Sequence, residues 1–273
     1  MIQLELPQTA ISVGEHPGAR LVRARHIAAA AIASLLVAAA FSVPTAHAQT
    51  KAPPACEDAA ALAVLASPLA PWKGAPLRVV FAVEQAFAGE LSLTAPDGTV
   101  ATKSRAREGG PPYFWYAEVA APAAGAWHAT LALDGAPEGC TTITREIAVQ
   151  DKQPPGARAT QGSVWPLRGE WNRATENLYS AWIEKLFDAP LDQELSWKAL
   201  HDGLRDKSRN ILFNNLGLGE DEKKLIIQPD CADLPYFLRA YFAFKMGLPF
   251  GYSKCSRGGG GLRGSSAWMF HHA

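Results

Sequence analysis

Between residues 151 and 162 the hydrophobic period of this chain changes, and that change limits what it can fold into. Before it, short runs tend to place apolar residues at every second position. After it, apolar residues recur every third or fourth position. The intervening stretch, DKQPPGARATQG, is Pro, Gly and polar residues without a period, which is the composition of a linker. Strands are therefore expected on one side and helices on the other, an α+β chain.

Five short runs in the first part read as strands. They are 77–83 (LRVVFAV), 91–94 (LSLT), the aromatic 113–119 (YFWYAEV), 125–133 (GAWHATLAL) and 141–149. Turn signals separate them, including Pro96-Asp97-Gly98 and Asp134-Gly135. Their spacing predicts a small β-sandwich over residues 49–150. Cys56 opens this unit and Cys140 lies just before its last strand, so the two are expected to pair as a disulfide. The stretch Pro-Ala-Gly-Ala-Trp before a strand resembles immunoglobulin-like and fibronectin-like extracellular modules, which implies an immunoglobulin-like sandwich. His128 falls mid-strand and reads as a structural residue on the polar face.

Three arginines, Arg20, Arg23 and Arg25, precede seventeen residues without formal charge, 27–43, and then Pro44-Thr45-Ala46-His47-Ala48. A basic region, an apolar region and an Ala-x-Ala site make residues 1–48 a secretory signal peptide. The expected product is periplasmic or secreted, with no membrane association after cleavage. From Gln49 onward the chain carries 23 Lys and Arg against 24 Asp and Glu. No basic face points to nucleic acid. All four cysteines, Cys56, Cys140, Cys231 and Cys255, lie in this exported part, where disulfides form.

After the linker, assigned to 151–163, residues 172–187 carry apolar side chains at Leu178, Trp182, Ile183 and Leu186, a helical stripe. Ser196 is a candidate N-cap for a second helix over 197–209, which contains His201 as a surface or half-buried residue. Residues 220–224 read as a short charged, solvated face. The third helix begins near Asp230 or Cys231. Apolar residues follow at Leu234, Phe237, Leu238, Tyr241, Phe242 and Phe244, and the helix stops at Gly247 before Pro249. Cys231 would then sit at the start of a buried helix, where unpaired N–H groups and the helix dipole favour an anion such as a thiolate.

The stretch Asp230-Cys231-Ala232-Asp233-Leu234, followed by a helix and Gly247-Leu248-Pro249-Phe250, resembles the nucleophile helix of NlpC/P60 cell-wall peptidases. It is similar also to transglutaminase-like cysteine proteases. Both groups belong to the papain-like superfamily. The resemblance covers about 25 residues. It departs from NlpC/P60 at Ala232 and Asp233, where Ser and Gly are usual, and from the transglutaminase group at Phe250, where Ala is usual. It implies that residues 164–273 are a partial papain-like domain, that Cys231 is the nucleophile, and that the substrate is a cell-wall peptide or another peptide.

In those families a sheet after the helix supplies a His and its orienting partner. Here 21 residues follow Tyr252, including the four glycines 258–261, and His271 and His272 come next to last. The expectation is therefore a chain that is C-terminally truncated relative to the family. The alternative from the residues themselves is a non-catalytic exported binding module with Cys231 bridged to Cys255. No metal-ligand spacing or phosphate-cradling glycine motif appears, and no cofactor is expected.

Overall fold

The computed structural model describes residues 62–158, 163–222 and 226–251, together with the backbones of 254–255 and 266–267. The expected signal peptide 1–48, Cys56, His271 and His272 lie outside the described residues. Among the described residues, no helix is long and apolar enough to cross a membrane.

Eight strands form two antiparallel sheets. The first has the order β1-β2-β6-β5, from β1 (Ala63–Ser67), β2 (Leu77–Val83), β5 (Arg107–Gly109) and β6 (Tyr113–Val119). The second has the order β4-β3-β7-β8, from β3 (Ala88–Thr94), β4 (Val100–Ser104), β7 (Gly125–Asp134) and β8 (Thr142–Val149). Leu77, Val79, Phe81 and Val83 of β2 pack with Leu91 and Leu93 of β3 and with Trp127 and Leu131 of β7 in one core between the sheets. Trp115 is fully buried within it. The expected spans 77–83 and 113–119 coincide with β2 and β6.

Three strands are absent from the sequence reading. β1 is rich in Ala, which packs poorly as a strand signal, and β4 and β5 are short, largely exposed edge strands. His128 is exposed on β7, opposite Thr94 and Glu146. Cys140 is disulfide-bonded; Cys56, its expected partner, lies outside the described residues.

Every residue of β2 is buried. A strand facing solvent on one side would alternate, so its near-continuous apolar run needs cover on both faces. The second cover is helical. Val80 and Ala82 of β2, Ala63 and Leu65 of β1 and Phe114 of β6 share a second core with Leu178, Trp182 and Leu186 of α1 (Arg173–Phe187). Leu200 and Leu204 of α2 (Leu200–Arg205) and Leu238 and Phe242 of α3 (Leu234–Met246) belong to the same core. The first sheet is thus the middle layer between the second sheet and the helices. Residues 51–273 form one compact unit.

Local chemistry accounts for the helix ends. Asn172 caps α1: its side chain accepts from the Thr175 N–H at 3.0 Å, and Thr175 Oγ1 accepts from the Asn172 N–H at 2.8 Å. α2 is six residues, shorter than the expected 197–209, and Ser196 does not cap it. Trp197 stays outside and lies on Gly203, where an added Cβ would come within 2.9 Å of the indole. Asp206 ends the helix and takes the Ser208 N–H and hydroxyl on Oδ1, a turn that competes with further helix. α3 ends as expected at Gly247, whose φ of 67° is the left-handed C-terminal conformation.

Within the charged run 220–224, Glu220 and Asp221 do not belong to the solvated face expected, whereas Glu222 is exposed. Glu220 is largely buried and Asp221 is 2% exposed, because the fully buried Lys245 of α3 reaches both carboxylates. On α3, Leu238, Tyr241 and Phe242 are buried as expected, whereas Phe237 is 43% exposed.

Candidate active site

Cys231 lies in a turn that runs into α3. Asp230 Oδ1 accepts the N–H groups of Ala232 (2.8 Å) and Asp233 (2.9 Å), and Leu234 N–H donates to the Asp230 carbonyl at 3.0 Å. Those bonds are an N-cap followed by the first helical i→i−4 bond. The regular helix nevertheless starts at Leu234, with Asp233 as its formal cap. Pro235 is the cause: it has no N–H to give to the Cys231 carbonyl. Asp230 thus caps a first turn with Cys231 as its opening residue, and the proline interrupts the ladder immediately afterwards.

Cys231 is a free thiol and is exposed. It is therefore not bridged to Cys255, as the binding-module alternative required. The backbone of Cys255 belongs to β9 (Lys254–Cys255), which pairs antiparallel with β10 (Ser266–Ala267), Cys255 opposite Ser266.

The segment leading to Cys231 is held by His201 of α2. Its Nδ1 lies 3.1 Å from both the N–H and the carbonyl oxygen of Ile227. The ring is half-buried, and its Nε2 is 3.8 Å from Asp202 Oδ1. His201 is a positioning residue for the irregular segment that leads to Cys231. Among the described residues, no imidazole bonds to the Cys231 sulfur. His128 sits on β7 at the sandwich, and His271 and His272 are outside the described residues.

Behind the cysteine turn, α3 is locked by a buried polar network that motif reading missed. Lys245 Nζ donates to Glu220 Oε1 at 2.5 Å and to Asp221 Oδ2. Tyr241 Oη donates to Asp221 Oδ1 at 2.8 Å and accepts from Asn210 Nδ2 at 2.8 Å. The Trp182 indole N–H donates to Asn210 Oδ1 at 2.9 Å. Backbone N–H groups of Asn214, Leu216 and Leu218 complete the carboxylate shells.

Burial raises the Glu220 carboxyl, but the Lys245 charge and these hydrogen bonds outweigh it, and the net direction is downward. Burial, then the Asp221 charge, push Tyr241 well above the ordinary phenol range. The signal available in the sequence was a lysine at position 245, on the apolar side of a helix, with two carboxylates 24 and 25 residues earlier.

A second tie secures α1. Arg239 of α3 makes a two-pronged ion pair with Glu176, 2.7 Å from Oε2, while its guanidinium stacks 3.5 Å above the Trp171 ring. Glu84 at the end of β2 accepts from Arg173 (2.5 Å) and Asn177 (3.0 Å) of α1. The turn that carries the nucleophile candidate therefore runs into a helix tied to α1 by Arg239 and to Glu220 and Asp221 by Lys245.

No protein-family model matches this chain, and no curated protein matches it. Among solved structures, the chitinase ChiW from Paenibacillus sp. str. FPU-7, a bacterial cell-surface-expressed multi-modular enzyme, is 16% identical with a TM-score of 0.23. The likeness covers 69% of this chain and 16% of that one, and at that score it bears on neither fold nor function.

Proposed function

We propose that this protein is an exported cysteine hydrolase of the cell envelope, a peptidase or amidase acting on peptidoglycan peptides or other peptides, with Cys231 as its nucleophile. In this reading the first two layers are an immunoglobulin-like sandwich and the helices are the helical part of a papain-like domain, NlpC/P60-like or transglutaminase-like. The strand orders β1-β2-β6-β5 and β4-β3-β7-β8 support the first assignment, since they follow the two-sheet Greek-key arrangement of such sandwiches. The observation that carries the function is the free, exposed Cys231 opening a capped helical turn.

The chemistry is nucleophilic acyl transfer. The Cys231 sulfur forms a bond to the amide carbonyl carbon, the C–N bond breaks, and the amine leaves with a proton from an acid. Water then cleaves the thioester and releases the carboxylic acid. The N–H of Cys231 itself would receive the developing oxyanion, those of Ala232, Asp233 and Leu234 being bound to Asp230. An imidazole must serve as base and then acid; among the described residues none bonds to the Cys231 sulfur.

The test is alkylation of the folded, non-reduced protein with iodoacetamide at pH 6, followed by peptide mass spectrometry. An activated Cys231 is modified at least about tenfold faster than glutathione, because low-pKa thiols retain their thiolate there. A rate no faster than glutathione overturns the nucleophile assignment. Cys231→Ala should abolish both the labelling and any hydrolysis of peptide substrates.

A further inference from the structure

A cleft of about 290 Å³ opens where the β1–β2 connection, Gln153 and the loop after α2 meet. That volume lies just below the range of drug-sized ligand sites, about 300–1,000 Å³, and suits one small ring. Its walls are tied together. The Leu69 N–H donates to the Asn215 carbonyl at 2.9 Å, and Gln153 Nε2 donates to the Gly217 carbonyl. Arg78, paired with Glu118, donates to the Phe213 carbonyl at 2.9 Å and is spent on holding the cleft together. The cleft is therefore preformed.

Trp72 supplies its aromatic wall. The backbone beside it is pinned past the end of β8: the Lys73 N–H donates to the Gln150 carbonyl at 3.0 Å, and the Gln150 N–H donates to the Pro71 carbonyl at 2.8 Å. Gly74 and Gly217 approach the ring so closely that an added Cβ at either would lie 2.7 Å from an indole atom. The ring is thus held half-buried in the cleft wall. Trp127, Trp165, Trp171 and Trp182 each give the indole N–H to a protein acceptor, and Trp115 buries its own. The Trp72 N–H does neither: among the described residues it makes no hydrogen bond, and it is not sealed from solvent. An aromatic ring with an unused donor at its edge is an amphipathic contact surface.

Three more polar groups of the cleft keep unused capacity among the described residues. Gln153 gives its amide N–H to Gly217 and leaves Oε1 free to accept. Glu222 takes Asn214 Nδ2 on Oε1 at 3.1 Å and leaves Oε2. Lys207 is exposed, forms no ion pair, and lies 5.0 Å from the Phe213 ring centre. The cleft therefore offers two donors, two acceptors and an indole, and the charges of Lys207 and Glu222 cancel. Glu222 opposes an anion and Lys207 opposes a cation. A purely apolar ligand would displace water from these groups without replacing its hydrogen bonds. A neutral ring bearing several hydroxyls satisfies both kinds of group, because each hydroxyl donates and accepts.

We propose that this cleft binds a single neutral pyranose ring. Its C–H face lies on Trp72. Its hydroxyls accept from the Trp72 N–H and Lys207 and donate to Gln153 Oε1 and Glu222 Oε2. The proposal is independent of the role of Cys231, which does not line the cleft.

The experiment is a saturation-transfer NMR titration of the full chain with glucose, galactose, mannose and N-acetylglucosamine, with cyclohexanol as the apolar ring control. The expected result is saturable, millimolar binding of at least one sugar, with cyclohexanol weaker by tenfold or more. Trp72→Ala should abolish that binding. Because this change also removes packing against Gly74 and Gly217, Lys207→Ala provides a second test. At its exposed position it should weaken the sugar threefold or more while leaving the melting temperature in place. No saturable binding of any of these sugars, cyclohexanol binding as well as the best of them, or an unchanged affinity in either variant would each overturn it.

Discussion

At the scale of single residues, the side chain with the most leverage on this fold is Lys245. It has no contact with solvent and shares its one positive charge between two carboxylates that would otherwise lack a cationic partner. Removing one partner of a buried ion pair costs about 3–5 kcal/mol, because the others stay behind unpaired. Lys245→Met is expected to lose that much in urea denaturation at pH 7. The pH dependence has a defined sign. The Glu220 carboxyl is held below its value in the unfolded chain, so its contribution is complete above about pH 4.5 and is lost as the pH falls through the folded value. Glu220→Gln should therefore show a flatter stability profile than the parent below pH 4.5. A parallel profile would mean that Glu220 is not the group responsible.

At the scale of elements, the start and stop of α3 are governed by different devices. Its start is a capped turn that Pro235 separates from the regular helix, and its stop is a left-handed glycine. Gly247→Ala would force a Cβ into the left-handed region, costing about 1–2 kcal/mol. It would also place that Cβ 2.8 Å from the Pro166 carbonyl oxygen. The expected outcome is a lower urea midpoint with the slope unchanged. Both devices were legible from neighbours in sequence: Asp230 before the turn, and Gly247 two residues before Pro249. The shortening of α2 was not, since it depends on where the Trp197 ring lands.

At the scale of the whole molecule, the helical part covers a sheet face that would otherwise be exposed. Ala63, Leu65, Val80, Ala82 and Phe114 belong to the core that the helices complete. Contiguous apolar surface of that kind promotes association when uncovered. A chain ending at Gln150 is expected to bind the dye ANS and to aggregate, whereas the full protein should unfold in one cooperative urea transition by fluorescence and circular dichroism alike. Two separated transitions would show that the sandwich and the helices are stable independently.

The sequence by itself determined the α+β class, the spans of β2 and β6, the helix α1 and the placement of Cys231 in an opening helical turn. These features follow from periodicity and turn chemistry, which act over a few neighbouring residues. Tertiary structure alone decided that β2 is covered on both faces and that Glu220 and Asp221 are buried rather than solvated. It also decided that His201 holds the segment before Cys231 and that Arg78 lines a cleft. The physical reason is common to all four. The environment of a charge or a sheet face is set by partners far along the chain, such as Lys245 for Asp221 or Phe213 for Arg78, and no local pattern records which of them will arrive.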